Sequence, residues 1–169
     1  MEVGISGSYR KSYIDTQSYD ESEAWTGSLD YYFAPSSAIE LSYTDGLSIQ
    51  NLHSDSGIPD QTTSIYYEMA GVDLVLTLLK PGDVIRPYIK GGGAYILKKD
   101  LAYATGGQVV VIGGQWGTDL GFVSNAGAGI KIAITRDFAI KAGAEGWASS
   151  PSNSSEWDIM GHLGVDWML

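Results

Sequence analysis

The stretch TDLGFVSNAGAGIKIAI, Thr118 to Ile134, alternates between two unlike sets of side chains. Leu120, Phe122, Ala126, Ala128, Ile130, Ile132 and Ile134 share one phase. Asp119, Asn125, Gly127, Gly129 and Lys131 share the other. A period of two marks a β-strand with one apolar face and one polar or small face. Strands of globular proteins usually run roughly 5–6 residues, and this one is far longer. A strand that crosses a bilayer needs roughly 9–11 residues, and more if it projects beyond the lipid. Length alone therefore favours a membrane strand over a strand of a soluble sandwich.

The same alternation recurs seven more times. Val3, Ile5, Gly7 and Tyr9 oppose Gly4, Ser6, Ser8 and Arg10. Trp25, Gly27, Leu29, Tyr31 and Phe33 oppose Thr26, Ser28, Asp30 and Tyr32. Ile39, Leu41 and Tyr43 oppose Glu40, Ser42 and Thr44. Val72, Leu74, Leu76 and Leu78 oppose Gly71, Asp73, Val75 and Thr77. Ile89, Gly91, Gly93 and Tyr95 oppose Tyr88, Lys90 and Gly92. Phe138, Ile140, Ala142 and Ala144 oppose Lys141, Gly143 and Glu145. Leu163, Val165, Trp167 and Leu169 oppose His162, Gly164, Asp166 and Met168. Short turn signals stand at Phe33 to Ala38, Lys80 to Asp83 and Thr135 to Asp137. Longer polar or glycine-rich stretches stand at Asp15 to Ser22, Asn51 to Thr62, Lys98 to Gly117 and Ser149 to Ser155. Long and short connections alternate, so eight strands are joined as successive hairpins. Residues 1–169 are expected to form one all-β domain, an eight-stranded antiparallel up-and-down transmembrane β-barrel.

Composition agrees. Of 169 residues, 22 are glycine, and 11 tyrosines and 5 tryptophans stand against 3 phenylalanines. Abundant glycine disfavours helices. Tyr and Trp suit strands with one dry and one wet end. The net charge of −10 and the lack of a basic patch speak against nucleic-acid binding. Without cysteine there are no disulfides and no thiolate metal sites. No run of 18 apolar residues marks a transmembrane helix. The opening MEVGISGSYR has neither a basic nor an apolar leader segment, leaving a cytosolic protein or a cleaved signal peptide.

Aromatic residues on the apolar phase fall in two groups. Tyr31, Phe33, Phe138 and Trp167 lie toward the short-turn end; Trp25, Tyr66, Tyr95 and Trp157 lie toward the long-loop end. Two girdles with an aliphatic band between them are what a bilayer asks of a barrel. Trp147 falls on the inward phase, so a bulge or an exit from the membrane is expected there. On the other phase, Asp73, Lys90, Lys131, Lys141 and Glu145 stand among small residues. A narrow lumen accounts for this, because small residues make room for a few long charged ones.

This pattern resembles the small outer-membrane barrels, most nearly the OmpA-like and OmpX-like barrel domains. The resemblance covers essentially the whole chain. Its most specific part is the ending GHLGVDWML. Last strands of that family carry an assembly signal, and His162, Gly164, Trp167 and Leu169 fill its places, with Leu169 where an aromatic is usual. RPYIKGGGAY, Arg86 to Tyr95, also looks like the Pro-Tyr-glycine strand common in these barrels. The resemblance implies short periplasmic turns, longer extracellular loops, and the outer membrane of a Gram-negative bacterium after removal of a signal peptide. It implies outer-membrane lipids, lipopolysaccharide and the barrel-assembly machinery as partners.

Reactive chemistry is sparse. His53 sits beside Ser54 and Asp55 in a loop, a neighbourhood that gives no triad geometry. His162 points to the lumen. With Asp166 it shares a face, but no third metal ligand is evident. The glycine-rich stretches precede no helix, so no phosphate cradle is expected, and neither a cofactor nor a metal is implied.

The lumen charges say more. Register counted from the turns places Asp73 opposite Lys90, Asp30 opposite or nearly opposite Glu40, and Lys131 opposite Lys141. Inward like-charge pairs are costly unless neutralised. In a ring of eight, the second and third strands face the sixth and seventh. The acidic and basic pairs are therefore expected to meet across the lumen, with Glu145 joining them and Arg10 reaching Asp158 or His162. A lumen so bridged does not conduct freely. The expected role is a non-enzymatic structural or surface-interaction protein of the membrane. Alternatives are a narrow channel for small or hydrophobic solutes resembling OmpW-type barrels, a lipid A-modifying enzyme, and a soluble lipocalin-like carrier. Val109 to Ile112 make the stretch 98–117 unusually apolar for a loop. Two readings stand: an extension of the flanking strands, or an exposed edge for a surface partner.

Overall fold

The computed structural model describes residues 1–13, 18–53, 61–79, 83–104, 116–150 and 153–169. Eight strands follow in order: β1 (Glu2–Tyr13), β2 (Tyr19–Ala34), β3 (Ser37–Leu52), β4 (Gln61–Thr77), β5 (Ile85–Ala104), β6 (Trp116–Ala133), β7 (Phe138–Ser150) and β8 (Asn153–Met168). Each pairs antiparallel with the next, and β8 returns to β1, so the sheet closes into a barrel. The period-two pattern dictates this. A strand with an apolar face on one side can shield its backbone in lipid only by pairing on both edges.

The large apolar side chains point outward. Ile5, Leu41, Leu74, Ile130 and Leu163 are all exposed on the outer wall, while Asp30, Glu40, Asp73 and Lys131 are buried inside. Trp25, Tyr31, Phe33, Tyr66, Tyr95, Trp157 and Trp167 face out as well. Phe138 is half-buried, edge-on to Trp167 with ring centroids 6.3 Å apart. Tyr9, Tyr43 and Phe122 also face outward. Phe122 sits opposite Tyr95 on the neighbouring strand, which widens the aromatic belt at the loop end.

Four local readings change. The strands reach further toward the loop end than the polar stretches suggest: β2 begins at Tyr19, β3 ends at Leu52 and β5 ends at Ala104. β7 reaches Ser150 and β8 starts at Asn153, so most of the loop expected over 149–155 is strand. Pairing with a neighbour satisfies the backbone of a polar segment as well as of an apolar one, and so composition alone misplaced these ends. Trp147 does not leave the barrel. It stays buried in the lumen, opposite Asn125 and Asp158, and the register shift falls after it, between Ala148 and Ser150. Asp73 faces Gly92 rather than Lys90, which faces Val75; the shift of two keeps both charged side chains inside. The apolar run Val109 to Ile112 lies outside the described residues.

Two ladders are short. Pairing of β1 with β8 runs from Glu2–Met168 to Tyr9–Gly161. Pairing of β6 with β7 stops at Asn125–Trp147. At the lower end the seam is tight. The Leu169 N–H donates to the Met1 carbonyl at 2.9 Å, so the last residue is tied into the closure. A Cβ on Gly164 would run into the Ile5 carbonyl and lie 2.5 Å from the Ser6 Cβ. Glycine there lets β8 approach β1 closely.

Gly164→Ala is expected to destabilise the barrel by about 1–3 kcal/mol through overpacking at the seam. Gly161→Ala, whose Cβ would meet nothing nearer than the Gly143 carbonyl at 4.0 Å, is expected to stay within about 0.5 kcal/mol. Urea unfolding in detergent, followed by heat-modifiable gel migration, distinguishes them.

Candidate functional site

The lumen is organised by register. Glu2, Asp30, Glu40 and Asp73 are direct cross-strand neighbours on β1, β2, β3 and β4. Arg86, Lys131 and Lys141 are direct neighbours on β5, β6 and β7. A row of four acids on one wall thus faces a row of three bases on the other. Inward projection follows from the pleat, since every second residue points to the axis. Closing an eight-stranded barrel leaves an interior just wide enough for side chains, so the rows meet.

They meet as bridges. Lys131 Nζ lies 3.2 Å from Asp30 Oδ2 and 3.0 Å from Asp166 Oδ2, and it donates to Glu2. Lys141 donates to Glu40 Oε2 at 3.0 Å, and Lys90 to Glu40 Oε1 at 2.8 Å. Lys90 is also 2.7 Å from Glu145 Oε2 and 3.3 Å from Asp73 Oδ2. Asp73 and Lys90 therefore pair diagonally, and Glu145 joins the network through Lys90 rather than through Lys131 or Lys141. Charges buried this deeply persist only when paired.

Arg10 and His162 part company. Arg10 binds Asp158 at 2.6 Å and Asp20 at 2.5 Å, near the loop end. That ion pair spans β1 and β8 just above the point where their ladder ends. His162 Nε2 instead lies 2.8 Å from the Tyr88 hydroxyl. Tyr88 is buried at the centre of the cluster, with Lys131 and Lys141 Nζ 5.9 and 5.6 Å from its ring centroid, close enough for cation–π attraction. Gly129 makes room for it, because a Cβ there would lie 2.7 Å from the Tyr88 hydroxyl. His53 is exposed, and its backbone N–H donates to Ser18 Oγ at 3.1 Å; Ser54 and Asp55 lie outside the described residues. Among the described residues no group of three or more His, Cys, Asp or Glu is placed to hold a metal.

Sequence reasoning missed several members of this site. Glu2 continues the inward phase of Gly4 and Ser6, a signal that was readable. Asp166 was placed on the lumen face beside His162, but its pairing with Lys131 was not foreseen. Asp20 fell in a stretch that looked like loop. Tyr32, which donates to Glu2 Oε2 at 2.9 Å, and Tyr88 carry no formal charge to draw attention.

Above the charged layer lies a mostly apolar one, with Asn125 and Thr44 among its buried members. Tyr67, Met69, Ile96, Val123, Trp147 and Met160 are all buried and in contact. The Tyr67 and Trp147 rings are 6.3 Å apart, and the Tyr67 hydroxyl reaches Met160 Sδ at 3.6 Å. A polar cavity of about 160 Å³ opens above it, walled by Arg10, Asp20, Ser48, Gln50 and Asp158. Below the charged layer, a second cavity of about 330 Å³ opens at the short-turn end.

The family model of the OprF membrane domain matches residues 1–168. The chain belongs to the OprF membrane-domain family. Among solved structures, the N-terminal β-barrel domain of Pseudomonas aeruginosa OprF aligns with a TM-score of 0.59 at 18% identity, covering 98% of this chain and 96% of that one. The outer membrane enzyme PagL aligns at 0.46 and 14% identity, over 100% of both chains. The Yersinia pestis outer membrane protein Ail, in a phospholipid nanodisc, aligns at 0.48 and 13% identity, over 98% and 97%. No curated protein sequence matches the chain. Membership of the OprF family makes this an outer-membrane β-barrel, with short periplasmic turns and the loop end outside.

Glu40 is the pivot of the network, since among the described residues Lys141 has its only ion pair there. Glu40→Gln is expected to cost about 3–5 kcal/mol, the usual result of stranding a buried charge. Glu40→Gln with Lys141→Met is expected to cost clearly less than the sum of the single changes. Glu21→Gln, which removes the partly exposed Lys11 pair at 3.4 Å, is expected to change stability by under about 0.5 kcal/mol. Urea midpoints in detergent provide the comparison.

Proposed function

We propose that this barrel is a non-enzymatic structural and surface-interaction protein of the outer membrane, with a lumen closed by two stacked plugs. The observation that carries the reading is the bridging itself. Lys131, Lys141 and Lys90 each bind carboxylates from the opposite wall, so the lower plug spans the bore. The Tyr67–Trp147 layer above it gives a second, apolar barrier. A solute would have to break paired buried charges and then pass a mostly apolar constriction.

On this reading the protein resides in the outer membrane of a Gram-negative bacterium after a signal peptide is removed. The outward aliphatic band and aromatic belts meet lipid and lipopolysaccharide. The last strand, with His162, Gly164, Trp167 and Leu169, is read by the barrel-assembly machinery, and the stretch 98–117 serves a surface partner. The non-enzymatic role is supported by the engagement of His162 with Tyr88, deep in the lumen and away from the lipid-facing wall.

In planar bilayers the wild-type barrel is expected to give no steady conductance. Glu40→Ala with Lys141→Ala is expected to remain nearly closed, because the mostly apolar layer is intact. Adding Tyr67→Ala and Trp147→Ala, together with Lys131→Ala and Asp30→Ala to remove the other cross-bore bridge, is expected to produce discrete openings. Steady wild-type openings would overturn the plugged reading in favour of a narrow channel. A change in lipid A mass on expression would overturn the non-enzymatic one.

A further inference from the structure

The cavity of about 330 Å³ at the periplasmic end lies below the charged plug. Its size is at the low end of the range for small-molecule sites, roughly 300–1,000 Å³. Met1, Tyr32, Ala34, Pro35 and Met168 give it mostly apolar walls, and Arg86 and Lys131 supply its two charges. The two cations differ. Lys131 is held by Glu2, Asp30 and Asp166. Arg86 makes no ion pair with any described residue, and its buried Nε has no acceptor. None of the six carboxylates of the lumen network lines the cavity. A guanidinium beside Lys131, in apolar surroundings and without a counter-ion, is an anion site in want of its anion.

We propose that this cavity binds a monocarboxylate with a short apolar tail, the carboxylate seated on Arg86 and the tail lying against Tyr32, Pro35 and Met168. One unpaired guanidinium neutralises one charge, which fits a carboxylate better than a doubly charged phosphate monoester. The apolar walls account for the tail. The site is blind at its inner end only if the lumen is plugged, but binding at Arg86 does not depend on that, so it can fail or stand independently of the conductance result.

The chain has three arginines, Arg10, Arg86 and Arg136. Selective ¹⁵N-arginine labelling therefore gives three side-chain Nε–H signals, and Arg86→Gln identifies one by its loss. Arg10 lies at the opposite end of the barrel, and Arg136 is exposed in the β6–β7 turn, so both serve as internal controls. The intact barrel in detergent would be titrated with hexanoate, hexanol and acetate. Hexanoate is expected to shift the Arg86 signal saturably and leave Arg10 and Arg136 in place. Hexanol and acetate are expected to need at least tenfold higher concentrations. An unmoved Arg86 signal, or equal potency of hexanol (micelle partitioning) or of acetate (ion binding at charge alone), would overturn the proposal. Should Arg86→Gln fail to fold, Arg136→Lys and Arg10→Lys, each losing its own signal, assign the third to Arg86 by difference. Ala34→Trp, which fills the cavity and leaves the guanidinium, is expected to abolish hexanoate binding.

Discussion

Like charges placed side by side are the constraint on which the rest of this structure depends. Asp30 faces Glu40 across the β2–β3 ladder, and Lys131 faces Lys141 across β6–β7. Either hairpin alone carries an unfavourable pair, and no repacking within it brings relief. Glu2 and Asp73 lengthen the acidic row to β1 and β4, and Arg86 lengthens the basic row to β5. The Asp30–Glu40 and Lys131–Lys141 rungs neutralise one another only across the bore, when all eight strands are in place. Closure is thus favoured by the same groups that disfavour its intermediates, and the partly closed sheet is the unstable form.

The small residues and the aromatic ones follow from that. Long lysines and carboxylates reach the axis only where their neighbours are short, so glycine alternates with charge along β5, β6 and β7. Tyr88 fills the centre of the cluster because a neutral ring can touch Lys131 and Lys141 at once and still offer its hydroxyl to His162. Trp147 and Tyr67 take over where the charges end. A polar layer and a mostly apolar layer therefore succeed each other along one bore.

Much of this was legible in the sequence. Strict alternation assigns the face of nearly every strand residue, because one step of error would turn every lysine into the lipid. The Asp30–Glu40 and Lys131–Lys141 rungs were readable because their turns are short and leave little freedom of register. Asp73 and Lys90 were misplaced by two residues across the β4–β5 hairpin, a slip that alternation does not detect. Strand ends were hidden, since residues beyond the lipid need no apolar face to stay paired. The partners of Arg10, His162 and Lys131 depend on height and reach inside the bore, which no single strand encodes. Trp147 misled because an inward tryptophan looks wrong until the apolar layer around it is known.

The seam between β1 and β8 carries a last consequence. Its ladder holds from Glu2 to Tyr9 and no further among the described residues. Above that height no further β1–β8 rung forms among the described residues, and unpaired backbone is not tolerated in hydrocarbon. At about 3.3 Å per residue and the usual tilt of about 35–45°, this ladder rises under roughly 20 Å along the membrane normal. The hydrocarbon of an ordinary bilayer is about 30 Å thick. The paired part of the seam is therefore shorter than the hydrocarbon it borders, and Arg10 reaches across to Asp158 just where the rungs stop. The ladders are thus unequal in height around the wall, and among the described residues the β1–β8 ladder is the shortest.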